Sequence, residues 1–322
     1  MLQKNKILII DYKNYKLSSL KRLEKNFYLI KKNFNTKSEF DKFCKKFGCN
    51  VFAIFTEIGI VINDILVSKY LKNLKYIITP TTGINHIQIK KFNKQIKIIS
   101  LKQDIAFLKN IPSTAELSFF LIISLLRNTF QAISDVRLGY WRPKKFIGYE
   151  LKDKTIGIIG LGRIGKMIAK FSLSFGMKVM FFDIKKITYK NCEPVSLLKI
   201  FKNSDVISVN ISYDESNKNF INLNKFKMCR KQPIFINTSR GEIVNENDLL
   251  IALKKKYISG AGLDVLEGDS SWKNFFSKNS PIFKYQKKNF NLLITPHIGG
   301  YTKEAISKTR NHIVNLFMKE FN

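Results

Sequence analysis

Residues 155–165 read TIGIIGLGRIG, a β-branched run that ends in Gly160-Leu161-Gly162-Arg163-Ile164-Gly165. Each glycine has its own task in a strand-to-helix turn. Gly160 permits the tight turn, Gly162 removes the side chain that would hold the backbone away from a pyrophosphate, and Gly165 lets the helix pack close to the strand. The helical pattern KMIAKFSLSFGM follows at 166–177, and the next apolar run, VMFF, closes on Asp183, eighteen residues after Gly165. A strand before, a helix after and an acid ending the second strand make the segment a dinucleotide-binding fingerprint in context. The phosphates are expected at the helix N-terminus, on the backbone N–H groups of Arg163 and Ile164. Asp183 is expected to accept from the adenosine ribose hydroxyls and to repel a 2′-phosphate, which favours NAD over NADP.

With 322 residues and 45% apolar content, the chain is long enough for two domains with separate cores. The apolar stretch LSFFLIISLL at 117–126 is shorter than the roughly 20 residues of a membrane span and is flanked by Glu116 and Arg127, so a buried helix is expected. The N-terminus, MLQKNKILIIDY, offers no secretory pattern, and a cytoplasmic location and no membrane partner are expected. Cys44, Cys49, Cys192 and Cys229 form no C-x-x-C pair and have no nearby histidines, so neither a metal nor a disulfide is expected.

The formal net charge of +32 raises nucleic acid as a partner, but only eight of the 56 basic residues are Arg. The lysines are scattered among Asn, Ile and Phe, and Arg, the bidentate reader of bases and phosphates, is scarce. A solvated lysine coat that raises encounter rates with anionic substrates is expected instead.

Along the chain, KILIID, a helical stretch near 17–33, VFAIF, a helix near 63–73, YIIT and IKIIS alternate in a βαβ rhythm. A second series opens with a long helix near 113–128 and continues through strands near 155–160, 178–183, 205–210, 233–237, 259–264 and 291–295. Two open parallel α/β sheets are expected.

Beyond the glycine turn, three segments resemble the NAD-dependent D-isomer-specific 2-hydroxyacid dehydrogenases: GYWRPKKFIGYELKDKTIGIIGLGRIGKMIAK at 139–170, INTSRGEIVNENDLLIAL at 236–253 and NLLITPHIGGYTKEA at 291–305. ITPTTGINHI at 78–87 resembles the family's substrate loop, and IPSTAELSFFLIISLLRN at 111–128 its interdomain helix. The resemblance implies two Rossmann-like or flavodoxin-like domains with the nucleotide domain inserted in the other. These are a substrate domain of about 1–103 plus 297–322 and an NAD domain of about 104–296, with the active site in the cleft between them. It also implies a homodimer formed through the nucleotide domain.

Reducing a 2-oxo acid requires a carboxylate anchor, a proton donor for the carbonyl and a hydride donor at contact distance. Arg240, in Asn237-Thr238-Ser239-Arg240-Gly241 after the strand PIFIN, is placed to fork onto the substrate carboxylate and the neighbouring oxygen. His297, in Thr295-Pro296-His297-Ile298-Gly299-Gly300, matches the family's catalytic segment, and histidine is the natural proton donor near neutral pH. The family sets a glutamate, usually followed by proline, against that histidine. Here Asp269 stands at the matching position without the proline, and its stem is shorter by one methylene, about 1.5 Å. A backbone shift or bridging water would restore the contact, and Glu267 is the alternative carboxylate. The resemblance further assigns Thr114, Thr238 and Asp264 to the cofactor. It assigns Gly83, Ile84 and Asn85 to the substrate carboxylate through backbone N–H groups in a closing lid.

The middle of the chain is most similar to phosphoglycerate dehydrogenases, whereas the substrate loops differ. Where phosphoglycerate-using members carry arginines, this chain has Phe55-Thr56-Glu57 and Thr79-Pro80-Thr81, and an acid beside a phosphate is unfavourable. The expected substrate is therefore a 2-oxo or 2-hydroxy acid other than phosphoglycerate. Two alternatives stand beside it: phosphoglycerate dehydrogenase itself, with Lys144 or Lys145 on the phosphate, and an NAD(H)-sensing scaffold or corepressor-like protein with weak turnover.

Overall fold

A computed structural model describes residues 4–89, 95–269 and 279–321. The chain divides into two units, one running to Asn110 and resuming at Tyr301, the other running from Ile111 to Asp269 and up to Gly300.

In the first unit, five parallel strands lie in the spatial order Tyr28–Lys32, Lys6–Ile10, Val51–Phe55, Tyr76–Thr79, Lys97–Ser100. In sequence terms this is 2-1-3-4-5, the flavodoxin-like doubly wound order. The inner strands Lys6–Ile10, Val51–Phe55 and Tyr76–Thr79 are mostly buried on both faces, as a parallel sheet demands. Leu8, Ile10, Ile54 and Ile77 pack with Phe40, Phe43, Leu66 and Val67 on one side. The other side is covered by the returning helix Lys303–Phe321, where Phe317 meets Phe27 at 5.5 Å and Phe55 at 5.4 Å between ring centroids. Buried Arg310 ties that helix to the first strand, its Nε and Nη2 donating to Asp11 Oδ2 at 3.1 and 2.5 Å.

The helical stretch expected near 17–33 is two elements, a helix Leu17–Asn26 and an edge strand Tyr28–Lys32. Phe27 turns extended at the helix end and is buried, which stops the helical hydrogen bonding. The Tyr-Leu-Ile run beyond it favours a strand, whereas its lysines suit the solvated edge. A helix at Lys37–Phe47, capped by the Thr36 side chain on the Glu39 N–H, completes this crossover.

In the second unit, seven parallel strands run in the order Cys192–Pro194, Lys178–Phe182, Thr155–Ile159, Val206–Val209, Ile234–Asn237, Gly260–Leu263, Leu292–Ile294. The order reverses between Thr155–Ile159 and Val206–Val209, so a crevice opens at their carboxyl ends. Alternation along Thr155–Ile159 sends Ile156 and Ile158 toward the helix Ser113–Leu126 side, with Ala115, Leu121 and Ile122. Gly157 faces the other way, where a Cβ would sit 2.2 Å from Ser204 Oγ and 2.7 Å from Ile200 Cγ2, so glycine sets how closely the helix Leu197–Asn203 approaches. Residues 105–126 are apolar and long enough to resemble a membrane span by length and composition. The run breaks ahead of Ser113, however, and Ser113–Leu126 buries eight of its residues in this unit's core.

Candidate active site

The cofactor end is built by the glycine turn. Gly160 sits at φ +90, and its Cα faces Asn210 at the end of the neighbouring strand, where a Cβ would lie 2.8 Å from the Asn210 carbonyl oxygen. A Cβ on Gly165 would lie 2.2 Å from the Gly160 carbonyl oxygen, so helix and strand meet at glycine contact. At Gly162, by contrast, a Cβ would have nothing within 4 Å, and Gly162 caps the helix Arg163–Ser174 without a side chain. The helix Arg163–Ser174 thus begins beside open space, with the positive end of its dipole toward it, a cradle that fits a pyrophosphate. Asp183 is half-buried and accepts from the N–H of Leu161 at 2.7 Å and of Lys185 at 2.9 Å, which fixes its carboxylate beside the turn. Arg163 folds back, Nη1 donating to the Ile111 carbonyl at 2.7 Å, and burial holds its guanidinium below the usual arginine range. Two buried acceptors near this end, Asn210 Oδ1 and Ser113 Oγ, have no partner among the described residues.

The catalytic end is built by three carboxyl-terminal strand loops. His297 Nδ1 lies 2.9 Å from Asp269 Oδ2, with side-chain exposures of 22% and 12%. The one-methylene deficit of Asp269 is made up by the backbone. The Leu266 N–H donates to the same Oδ2 at 3.2 Å and the Asp269 N–H to the Leu266 carbonyl at 3.1 Å, closing a turn through Gly268 at φ +76. Glu267 is turned elsewhere, in an ion pair with Lys218 at 2.9 Å. Arg240 is half-buried, and burial pushes its guanidinium down while the Asp269 and Glu242 carboxylates act to raise it. Gly241 fixes the approach of its loop, since a Cβ there would fall 2.0 Å from the Leu266 carbonyl carbon.

Asp264 organises the His297 segment. Its Oδ1 accepts from Thr295 Oγ1 at 2.6 Å and from the Ile298 N–H at 2.8 Å, its Oδ2 from the Gly299 N–H at 2.7 Å, and its carbonyl from the His297 N–H at 2.9 Å. His297 thereby holds φ +55, a left-handed conformation sparsely used by residues with a Cβ and a mark of stored strain. Burial pushes the Asp264 carboxyl up, against the pull of these donors. Thr114 Oγ1 donates to the Gly299 carbonyl at 3.1 Å, and Thr238 Oγ1 pairs with Ser118 Oγ at 2.6 Å. Asp264, Thr114 and Thr238 are thus seated around the His297 and Arg240 loops. In the first unit, the loop of Gly83, Ile84 and Asn85 is braced from within: Thr81 Oγ1 donates to the Gly83 carbonyl at 2.7 Å, and buried His86 meets Thr79 Oγ1 at 3.3 Å.

Sequence reasoning missed Ser118, Thr295 and Glu246. Ser118 had a signal, a polar residue inside an apolar helix run, and it is fully buried. A cavity of about 320 Å³ lies at the opposite, amino-terminal edge of the seven strands, with Asp205, Gly260 and Asn291 in its wall, and contains none of these residues.

Comparison with known proteins agrees with this construction. The family model described as D-isomer specific 2-hydroxyacid dehydrogenase, NAD binding domain, matches residues 119–299. The chain is 32% identical to a glyoxylate reductase of Thermococcus litoralis over 259 residues, 76% of this chain and 74% of that protein. It is 33% identical to a hydroxypyruvate reductase of Thermotoga maritima over 254 residues, 77% of this chain and 78% of that protein. Among solved structures, a D-lactate dehydrogenase of Aquifex aeolicus complexed with NAD and lactic acid superposes with a TM-score of 0.80 at 27% identity, covering 98% of this chain and 95% of that one. With a glycine turn shaped to fit a dinucleotide and a matching family model across more than half its length, the chain belongs to the D-isomer specific 2-hydroxyacid dehydrogenases, NAD-dependent oxidoreductases that interconvert 2-hydroxy and 2-oxo acids.

Proposed function

We propose that the protein reduces a small, unphosphorylated 2-oxo acid to its D-2-hydroxy acid, with His297 as general acid, Asp269 as its partner and Arg240 as the substrate anchor. The 2.9 Å contact between His297 Nδ1 and Asp269 Oδ2 carries the reading. A carboxylate on Nδ1 fixes the ring's tautomer and orientation and leaves Nε2 to deliver a proton. Bound NADH supplies the hydride. Arg240 forks onto the carboxylate and the carbonyl oxygen, polarising the carbonyl, and His297 protonates that oxygen as C2 is reduced. In the oxidative direction His297 takes the proton back. The N–H groups of Gly83, Ile84 and Asn85 add to the grip on the carboxylate. Asp183, fixed beside the glycine turn, selects NAD by repelling a 2′-phosphate.

Several observations support the absence of a phosphate on the substrate. Glu57 follows the strand Val51–Phe55, and Arg310 in the same unit is bound by Asp11. The relatives named for glyoxylate and hydroxypyruvate reduction point to the same small substrates. Retention of the Asp269–His297 pair and of Arg240 favours turnover over a sensing role, since a sensor needs no proton donor.

A homodimer through the second unit is part of the same reading. The helix Thr129–Arg137 and the segment after it expose Val136, Leu138, Tyr140, Trp141, Ile147 and Tyr149, with Trp141 84% and Ile147 80% accessible. An apolar surface of that kind is the mark of an interface.

In a steady-state screen of NADH oxidation, glyoxylate and hydroxypyruvate are expected to turn over well above phosphohydroxypyruvate, and His297→Ala to lower kcat by about 10²–10⁴-fold. A preference for phosphohydroxypyruvate contradicts the substrate reading, and an active His297→Ala enzyme the mechanism. Gly162→Val is expected to leave the apo melting temperature unchanged, because its side chain enters open space, yet to weaken NADH binding at least about tenfold by fluorescence titration. Unaltered affinity contradicts the cradle. In sedimentation equilibrium the native chain is expected at twice its 37.4 kDa mass and Trp141→Glu at a lower one, and a monomeric native chain removes the dimer.

A further inference from the structure

We infer that Glu246 is a positioning residue for the proton-donating pair, acting by hydrogen bonding the turn that presents Asp269 to His297. The inference rests on the catalytic reading above and concerns a residue outside the groups that touch substrate or cofactor there.

Glu246 opens the helix Glu246–Lys254, whose first turn is capped by the Asn245 side chain on the Asp248 N–H. Leu249, Leu250, Ala252 and Leu253 are buried, so the helix is a rigid platform. From it, Glu246 Oε1 accepts the Glu267 N–H at 2.7 Å. The adjoining Leu266 N–H donates to Asp269 Oδ2, the oxygen that also meets His297 Nδ1. Two successive backbone donors of one turn are therefore divided between two carboxylates, with Glu246 anchoring the turn to the platform and Asp269 closing it. Gly241 presses on the same Leu266–Glu267 peptide, which also sets the approach of the Arg240 loop. Release of the Glu267 N–H frees the turn to move, and a displacement of about 1 Å at a proton-transfer pair costs up to about 10²-fold in rate.

The electrostatics separate the hydrogen bond from the charge. Burial, then the carboxylates of Glu267, Asp269 and Glu242, push the Glu246 carboxyl up, against its backbone hydrogen bond. A carboxyl raised on folding supports the folded state fully below its unfolded value, and that support is lost as pH rises through its folded value. At neutral pH the charge on Glu246 is thus a cost, and the useful feature is the acceptor oxygen. Glutamine keeps the acceptor and removes the charge.

The test compares Glu246→Gln, Glu246→Ala and Glu246→Met in the full-length chain, measuring kcat and KM for glyoxylate against pH, NADH affinity by fluorescence, and melting temperature. Glu246→Gln is expected to retain kcat within about twofold and to melt no lower than the native chain at pH 7–8. Glu246→Ala is expected to lose about 10–100-fold in kcat at every pH, with little change in KM or NADH affinity. Glu246→Met, which fills the volume without an acceptor, carries the same expectation if Glu246→Ala fails to fold. Native kcat and pH profile in a folded Glu246→Ala or Glu246→Met enzyme overturn the inference, as does a Glu246→Gln enzyme equally impaired. An active His297→Ala enzyme would instead overturn the catalytic reading on which it rests.

Discussion

The candidate active site of this protein depends on one buried carboxylate, that of Asp264. Such a charge is costly in a protein interior unless it is hydrogen-bonded, and hydrogen bonds to charged groups contribute about 1.5–3 kcal/mol each. Asp264 receives three, from Thr295, Ile298 and Gly299, all on the segment that carries His297. Those donors hold His297 at a backbone conformation it would rarely choose, and the strained turn sets Nδ1 at Asp269. Asp269 in turn is set by its own backbone turn, which packs on Gly241 beside Arg240. Arg240 and His297 are thereby coupled through backbone contacts, which hold them in place more firmly than long side chains do.

Much of this was legible in the sequence because the fold's demands are local. The glycine turn announces itself through three positions where a Cβ has a separate consequence, and the structure shows the difference: at Gly160 and Gly165 it would strike backbone, at Gly162 it would enter open space. The parallel pairing of the strands follows from the βα rhythm, since each helix carries the chain back to start the next strand in the same direction. Arg240 and His297 stand out because both residue types are scarce in a lysine-rich chain.

What was not legible depends on closure between distant segments. Residues 17–33 have the apolar content of a longer helix, and only the burial of Phe27 and pairing of Tyr28–Lys32 with the first strand divide them. The shorter stem of Asp269 was the most doubtful feature of the sequence. Its reach depends on a turn closed by Leu266 and Gly268, and no spacing rule reveals how far a turn advances a side chain. Ser118 and Thr238 lie 120 positions apart, and their contact exists only once the helix lies on the sheet. Asp264 matches a family position assigned to the cofactor, yet both of its oxygens are engaged inside the protein, an engagement set only by the folded chain.

The central claim is that Asp269, one methylene shorter than the family's glutamate, holds the His297 ring with Nε2 left to donate. The most direct measurement is the pH dependence of kcat for native and Asp269→Asn enzymes with NADH and glyoxylate. The variant is expected to lose at least about tenfold in kcat across that profile, because an amide does not hold the imidazole tautomer as a carboxylate does. A variant whose profile overlays the native one would remove Asp269 from the mechanism.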